Sequence, residues 1–479
     1  MMEDHEIMSN REYFEQNSLA DYTDHIFGVS KGRISKGLNL YLFVFSALLG
    51  DNFVHWHLLS LVLNALLLTA VSFLYTRMGV GVLVSVFFSF FVLFGSSVEV
   101  ITRLATIESL ALLIFVLLLL ESTRIKRRYS LIVILSTLLV VMKENFILLL
   151  PSVLIFDLYL NWRSNQAFFE QLIIRRKLLL ALSLLPLLCV SGFFLFMKDV
   201  GSSEGRYVFT NFDIAELVSI STKYFADWIG SFYAFESPFF LVLLLGFGLF
   251  FVVGLRQFHS KLLWLLAFFT FVFLSQYLIF YKLGHSGRYA FVSVFAVYIL
   301  LIGLSTEFFK VNSKYGRVFL AMIFLASLPM GKASLKRIQA YVDEGKALYH
   351  STALVEDMCE ENCSILLVGD KLMNIEMFQA LQYYLNYNSS KSLEIGILPL
   401  PPDKELFKSK ANIYSDDLIM IFESSFIEHY QDLVVEDSQA YNFDFILLIG
   451  DHPKLRLVDS LKLMHAEGES WFKLQTFQQ

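Results

Sequence analysis

Residues 54–76 read VHWHLLSLVLNALLLTAVSFLYT, a run of apolar and small polar side chains without one Asp, Glu, Lys or Arg. As a helix rising about 1.5 Å per residue the run covers about 35 Å, more than the roughly 30 Å hydrocarbon core of a bilayer. The solvent of this helix is lipid. Comparable runs follow at 80–95, 104–121, 178–197, 238–255, 262–281 and 289–309. Residues 130–160 form one apolar stretch broken by Lys143, Glu144 and Asn145, and read as two short spans joined by a tight polar turn. A shorter run at 317–330 suits a tilted span. That makes ten spans, an α-helical polytopic membrane protein, with 38–49 as an interfacial helix ahead of the first.

Composition agrees with a lipid setting and narrows the partners. The chain is 56% hydrophobic and 17% charged, which no ordinary soluble globule matches. Its net charge of -6 argues against nucleic acid, because a phosphate-binding surface needs a basic excess. Three cysteines are too few for a disulfide framework; Cys359 and Cys363 stand either as a pair or as two free thiols. No metal-ligating cluster stands out, although the chemistry considered below leaves room for a divalent cation. The first 37 residues are polar and lack a cleavable signal pattern, so the spans themselves must target the chain.

Charge orients the spans, since Lys and Arg stay on the cytoplasmic side. One alternate set of loops holds fourteen of them, including Arg77, Arg124, Arg127, Arg128, Arg175, Lys261 and Lys310, against seven in the other set. The amino terminus, the loops near 96–104, 143–145, 198–237 and 282–288, and everything after 331 are therefore expected outside a cell (inner) membrane. Beyond 331 short β-rich runs (364–369, 393–398, 417–422 and 443–450) alternate with helical stretches such as 372–386, which reads as a soluble extracytoplasmic α/β domain over 331–479. Gly369-Asp370 after the first of those runs is an ordinary strand-to-helix turn, because no G-x-G-x-x-G accompanies it.

An ionisable side chain in or beside a span is costly, so each one marks a candidate site. The unusual ones collect on the expected outward side. Glu99 and Arg103, four apart, share a helical face; Lys143 and Glu144 occupy the next outward turn; His285 and Arg288 occupy the one near 282–288. Lys198 and Lys282 are read as interface anchors. The amino terminus adds Glu3-Asp4-His5-Glu6, and paired carboxylates can supply a general base to take the proton from an attacking hydroxyl.

In this arrangement the chain resembles the GT-C superfamily, in particular the relatives of the protein O-mannosyltransferases. That family opens its first outward loop with a pattern like D-D-H-x-I-x-x-N, matched here by Glu3-Asp4-His5-Glu6-Ile7 with Asn10. Residues 50–66 (GDNFVHWHLLSLVLNAL) resemble its G-x-x-x-x-x-H-L-x-N-L-x-L-H-x-L region. Residues 95–99, with Arg103 and Glu108 beyond, stand where it has H-P-x-H-x-E, an Arg and an acid. The first His and the Pro are absent, and Arg103 sits about one turn early on the same face. Met142-Lys143-Glu144 resembles its S-K-E turn and Arg288-Tyr289 its late R-Y. The family also has a span ahead of the acidic loop, so a hydrophobic helix upstream of Met1 is expected.

The resemblance implies an outward catalytic loop over 1–37, a transmembrane module over 38–330, and an inverting transfer from a polyprenyl-phosphate sugar to an acceptor hydroxyl on protein, lipid or glycan. By the same resemblance Asp4, with Glu3 as the second choice, is the base, while Arg103, Lys143 and Arg288 hold the lipid phosphate and stabilise its developing charge. His5, Glu99, Glu144 and His285 support them. A lipid-linked donor also makes physical sense, because nucleotide sugars are not supplied outside the membrane. Two rivals remain at this level. A glycolipid transporter or flippase wants charges at the bilayer midplane and broken helices in matched halves; an O-antigen polymerase or ligase wants a large Arg-rich outward loop, whereas 198–237 is acidic on balance.

Overall fold

The computed structural model describes residues 36–50, 53–95, 97–102, 107–142, 144–162, 168–197, 222, 239–280 and 291–358, together with strands at 362–369, 392–399, 419–420, 445–449 and 472–476. The described chain is mostly helical. It forms two compact units, one ending at Ile338 and the other taking the chain from Gln339 onward.

The first unit is a helical bundle. Helix α1 spans Lys36–Leu49 and ends on Gly50, whose φ of 65° lets its N–H reach back to the Ser46 carbonyl at 2.9 Å. Only glycine enters that left-handed region without strain. Helix α2, Phe53–Arg77, is the deciding stretch of the sequence, and it buries Trp56, Leu67, Val71 and Leu74 on one face while Leu58, Leu61 and Phe73 point out. Helices α3 (Val82–Ser89), α4 (Ser97–Thr102), α5 (Glu108–Ser122) and α6 (Tyr129–Met142) follow, then α7 (Leu150–Asn161), α8 (Phe168–Ile174) and α9 (Arg176–Met197). Helices α10 (Phe239–Gln257), α11 (His259–Phe280), α12 (Phe291–Val311) and the part of α13 (Ser313–Met358) up to Ile338 complete the set.

Helix α5 is the pillar. Nearly every side chain on it is buried, and it packs on α2, α6 and α7. Its Phe115 stacks on Phe268 of α11 at 6.5 Å and meets Phe295 of α12 edge-on at 6.2 Å, while Phe156 of α7 lies 5.4 Å from Phe268. Tilted and edge-on rings fill the centre, as the aromatic quadrupole favours.

Three described helical stretches are long and apolar enough to cross a membrane: Val54–Arg77, Phe291–Val311 and Ser313–Gln339. Ten are expected from the sequence, and one of the differences has a clear cause. The run at 80–95 is not one span but α3 followed by a 3-10 turn over Phe90–Leu93. At about 1.5 and 2.0 Å per residue the two together reach about 20 Å, short of the hydrocarbon core. The expected span at 317–330 is one of the three, carried by the much longer α13, which continues through Pro329 and past the polar residues beyond it. The stretch 130–160 divides beside Lys143, into pieces shorter than the three full-length spans. Helix α6 stops before Lys143, and a 3-10 segment, Glu144–Leu149, runs directly into α7.

The second unit holds a five-stranded sheet: β1 (Asn362–Gly369), β2 (Ser392–Pro399), β3 (Ile419–Met420), β4 (Phe445–Ile449) and β5 (Phe472–Thr476). Their order is β3-β2-β1-β4-β5, the first four parallel and β5 antiparallel to β4. Asn362 pairs with Ser392 and Gly369 with Ile449. Parallel neighbours require crossover connections. The helical stretches expected there, 372–386 among them, lie outside the described residues, as does Cys359.

Candidate functional site

Most residues singled out in the sequence for catalysis or donor binding lie outside the described residues: Glu3, Asp4, His5, Arg103, Lys143, His285 and Arg288. Glu99 is carried by α4, and Glu144 opens the 3-10 segment before α7. Helix α4 packs on α12 and α5, and the 3-10 segment packs on α11, α6 and α7. What the structure describes at this level is the frame.

That frame is well tied. Trp56 Nε1 donates to the Gly50 carbonyl at 2.9 Å, and a His55 ring nitrogen lies 3.2 Å from the Leu49 carbonyl, so the turn into α2 is held by two side chains. Gly95, with φ 70°, donates its N–H to Ser334 Oγ of α13 at 2.8 Å. Ser109 Oγ reaches Asn64 Oδ1 at 3.1 Å and joins the start of α5 to α2. Glu108, the acid that the sequence places beyond Arg103, opens α5 and is buried. A carboxylate there faces the positive end of the helix dipole.

The densest described charge lies at the opposite end, where sequence reasoning had placed only a cytoplasmic excess of Lys and Arg. Asp157, near the end of α7 and 0% exposed, accepts from Arg127 Nη2 at 2.7 Å, Arg175 Nε at 2.5 Å and Asn161 Nδ2 at 2.7 Å. Arg175 is finished by the carbonyls of Gln171 and Asn161. Glu121, at the end of α5, takes Arg124 at 2.9 Å and Arg128 at 3.0 Å. Its carboxylate holds the Arg128 guanidinium above the usual arginine range, first by hydrogen bonding and then by charge. Arg77, at the end of α2, donates to the Thr123 carbonyl at 2.8 Å.

A second knot adjoins the first through α7. Tyr159 O–H lies 3.3 Å from Thr306 Oγ1 and 3.5 Å from Glu307 Oε1 on α12, and Lys310 donates to that same Glu307 oxygen at 2.7 Å. Lys261 of α11 donates to the Tyr159 carbonyl and sits 5.4 Å from the centre of its ring. Burial pushes the Lys261 ammonium below the ordinary lysine range; Glu307 opposes that and Lys310 adds to it. The ends of α2, α5, α7 and α12 and the starts of α6 and α11 thus share one level, the same alternation that the Lys and Arg pattern draws. The opposite ends of these helices, with Glu108 and Glu144, form the other level.

Between the levels a groove of about 700 Å³ follows α2 from His57 to Thr76, with Val82, Val86 and Phe90 on its other wall. Four of the polar side chains on its α2 wall donate to their own helix: Asn64 Nδ2 to the Ser60 carbonyl at 2.9 Å, Thr69 Oγ1 to Ala65 at 2.8 Å, Ser72 Oγ to Leu68 at 2.8 Å and Thr76 Oγ1 to Ser72 at 2.9 Å. The groove therefore presents mainly methyl and methylene surface. Among the described residues no three His, Cys, Asp or Glu side chains gather to hold a metal ion.

No family model matches the chain, and neither a curated protein nor a solved structure matches it.

Proposed function

We propose that the chain is an inverting GT-C-type glycosyltransferase of a cell (inner) membrane, crossed several times, which moves a sugar from a polyprenyl-phosphate donor to an acceptor hydroxyl on the extracytoplasmic face. The groove along α2 is the observation that supports this reading best. It begins at His57, close to the end where the candidate phosphate ligands are expected, and runs toward the other end with an apolar lining. A lipid carrier needs that combination: a headgroup at the interface and a prenyl tail alongside it. In this reading Arg103, Lys143 and Arg288 take the phosphate, Asp4 takes the acceptor proton, and a soluble α/β domain built on the sheet after residue 331 positions the acceptor.

The deciding experiment incubates purified protein in nanodiscs with a polyprenyl-phosphate sugar and follows release of the lipid phosphate together with glycosylation of a membrane-fraction acceptor. An intact donor after prolonged incubation with that acceptor mixture, while control transferases consume theirs, sinks the proposal.

Two further outcomes are expected. Ala65→Trp, which places an indole in the groove, should weaken binding of a long-chain donor about tenfold, the equivalent of losing the burial of about two methylene groups. A short-chain analogue should bind the variant and the wild type alike; equal loss for both donors would mean that the groove does not hold the tail. Reporter fusions after residues 125 and 170 should read cytoplasmic, and fusions after 215 and 345 external, because Lys and Arg favour the first set of loops. A cytoplasmic signal at 345 overturns the orientation and with it the site.

A further inference from the structure

The loop joining α5 to α6 is pinned from several sides. Arg77 donates to the Thr123 carbonyl at 2.8 Å, Arg127 donates to the Ser122 carbonyl and to Asp157, and Glu121 accepts from the Arg128 N–H at 2.9 Å as well as from the Arg124 and Arg128 guanidiniums. A backbone so fixed presents its tip rather than folding it away. At that tip Ile125 is 94% exposed, between Arg124 and Lys126, which are also exposed.

Two observations say what covers this tip. The first is charge: Arg77, Arg124, Lys126, Arg127 and Arg128 lie on the loop or bond to it, and the carboxylates paired with them are Glu121 and Asp157, the latter shared with the buried Arg175, so six cations meet two acids. The second is position. Exposed apolar side chains on the flanking helices, Leu117 of α5 and Ile134 and Leu138 of α6, run up to Tyr129, and the cations begin where they stop. In a bilayer this is the headgroup level, where tyrosine and long basic side chains belong and where a lone exposed isoleucine finds hydrocarbon.

We infer that the loop 123–129 is a binding site for acidic phospholipid. Ile125 enters the acyl-chain boundary while Arg124, Lys126 and Arg128 donate to phosphate oxygens; Arg124 and Arg128 each keep guanidinium N–H groups beyond those that Glu121 occupies. A soluble acidic partner fits less well, because it offers nothing apolar for the isoleucine at the centre of the patch. The inference needs only that the bundle resides in a bilayer, and it stands whatever the chemistry at the other end.

The test uses the full chain in nanodiscs made of equal parts phosphatidylglycerol and phosphatidylcholine, extracted gently and weighed by native mass spectrometry. Wild type should retain phosphatidylglycerol severalfold over phosphatidylcholine. Each basic residue near an anionic surface is worth about fivefold in affinity, so Arg124→Gln with Lys126→Gln should remove most of that preference. Arg124→Lys with Lys126→Arg should keep it. A spin label on Ile125→Cys should be relaxed by a paramagnetic group on the lipid and shielded from an aqueous nickel relaxant. Equal retention of both lipids by wild type, an unchanged preference in the double Gln variant, displacement of phosphatidylglycerol by millimolar inorganic phosphate, or a label relaxed only from the water would each overturn the assignment.

Discussion

Asp157→Ala is expected to cost about 3–5 kcal/mol of stability, the range found when one partner of a buried ion pair is removed and the other charge is left without compensation. The position is severe because the carboxylate is 0% exposed and holds two guanidiniums at once, Arg127 from the loop before α6 and Arg175 from the turn before α9, along with Asn161 on its own helix. Arg175 is itself buried, so its charge has no water to turn to. Lys310→Ala is the contrast. Its side chain is 63% exposed, and the buried Glu307 that it leaves behind keeps the Tyr159 hydroxyl and the charge of Lys261, so the loss should be clearly smaller. Thermal unfolding of the two purified variants in one detergent should separate them clearly, and overlapping curves would remove the network from any role in holding the bundle together.

Legibility in the sequence divides along physical lines. Which helix ends share a level was readable from the Lys and Arg pattern, because that pattern reflects the same asymmetry that brings Arg77, Glu121, Arg127, Asp157, Lys261 and Glu307 to one end. The pairing was not readable: Asp157 sits in LPSVLIFDLYLN, and its partners come from far along the chain in both directions. Apolar composition also fails to encode helix type. The phenylalanine-rich run at 80–95 is as greasy as a span, yet it tightens into a 3-10 turn ahead of Gly95, whose left-handed backbone and bond to Ser334 redirect the chain. The strands β1, β2 and β4 follow from their aliphatic runs, while β5, FKLQT, carries no such signal and takes its place by pairing with β4. At the expected catalytic level the sequence offered a string of charges, and the described structure supplies the frame and one buried acid among them, Glu108.

The chemistry itself is tested by two substitutions that should fail in different ways. If Asp4 is the base in the proposed transfer, Asp4→Asn keeps the size and polarity of the side chain but cannot accept the acceptor proton. Turnover should fall about a hundred- to ten-thousand-fold while donor binding is unchanged. Arg288→Ala removes a charge-assisted contact with the lipid phosphate, so donor binding should fail along with turnover. A general base acts in the transition state and a phosphate ligand acts from the ground state onward, which is why the two defects separate in a donor titration before they separate in a rate. Nanodisc-reconstituted protein, titrated with the polyprenyl-phosphate sugar and then assayed for release of the polyprenyl phosphate, provides both readouts. Wild-type turnover in the Glu3→Gln, Asp4→Asn double variant would return the amino-terminal acids to the role of a solvated tail, and the base would then have to be sought among the acids at the same level, with the buried Glu108 at the start of α5 the first to replace.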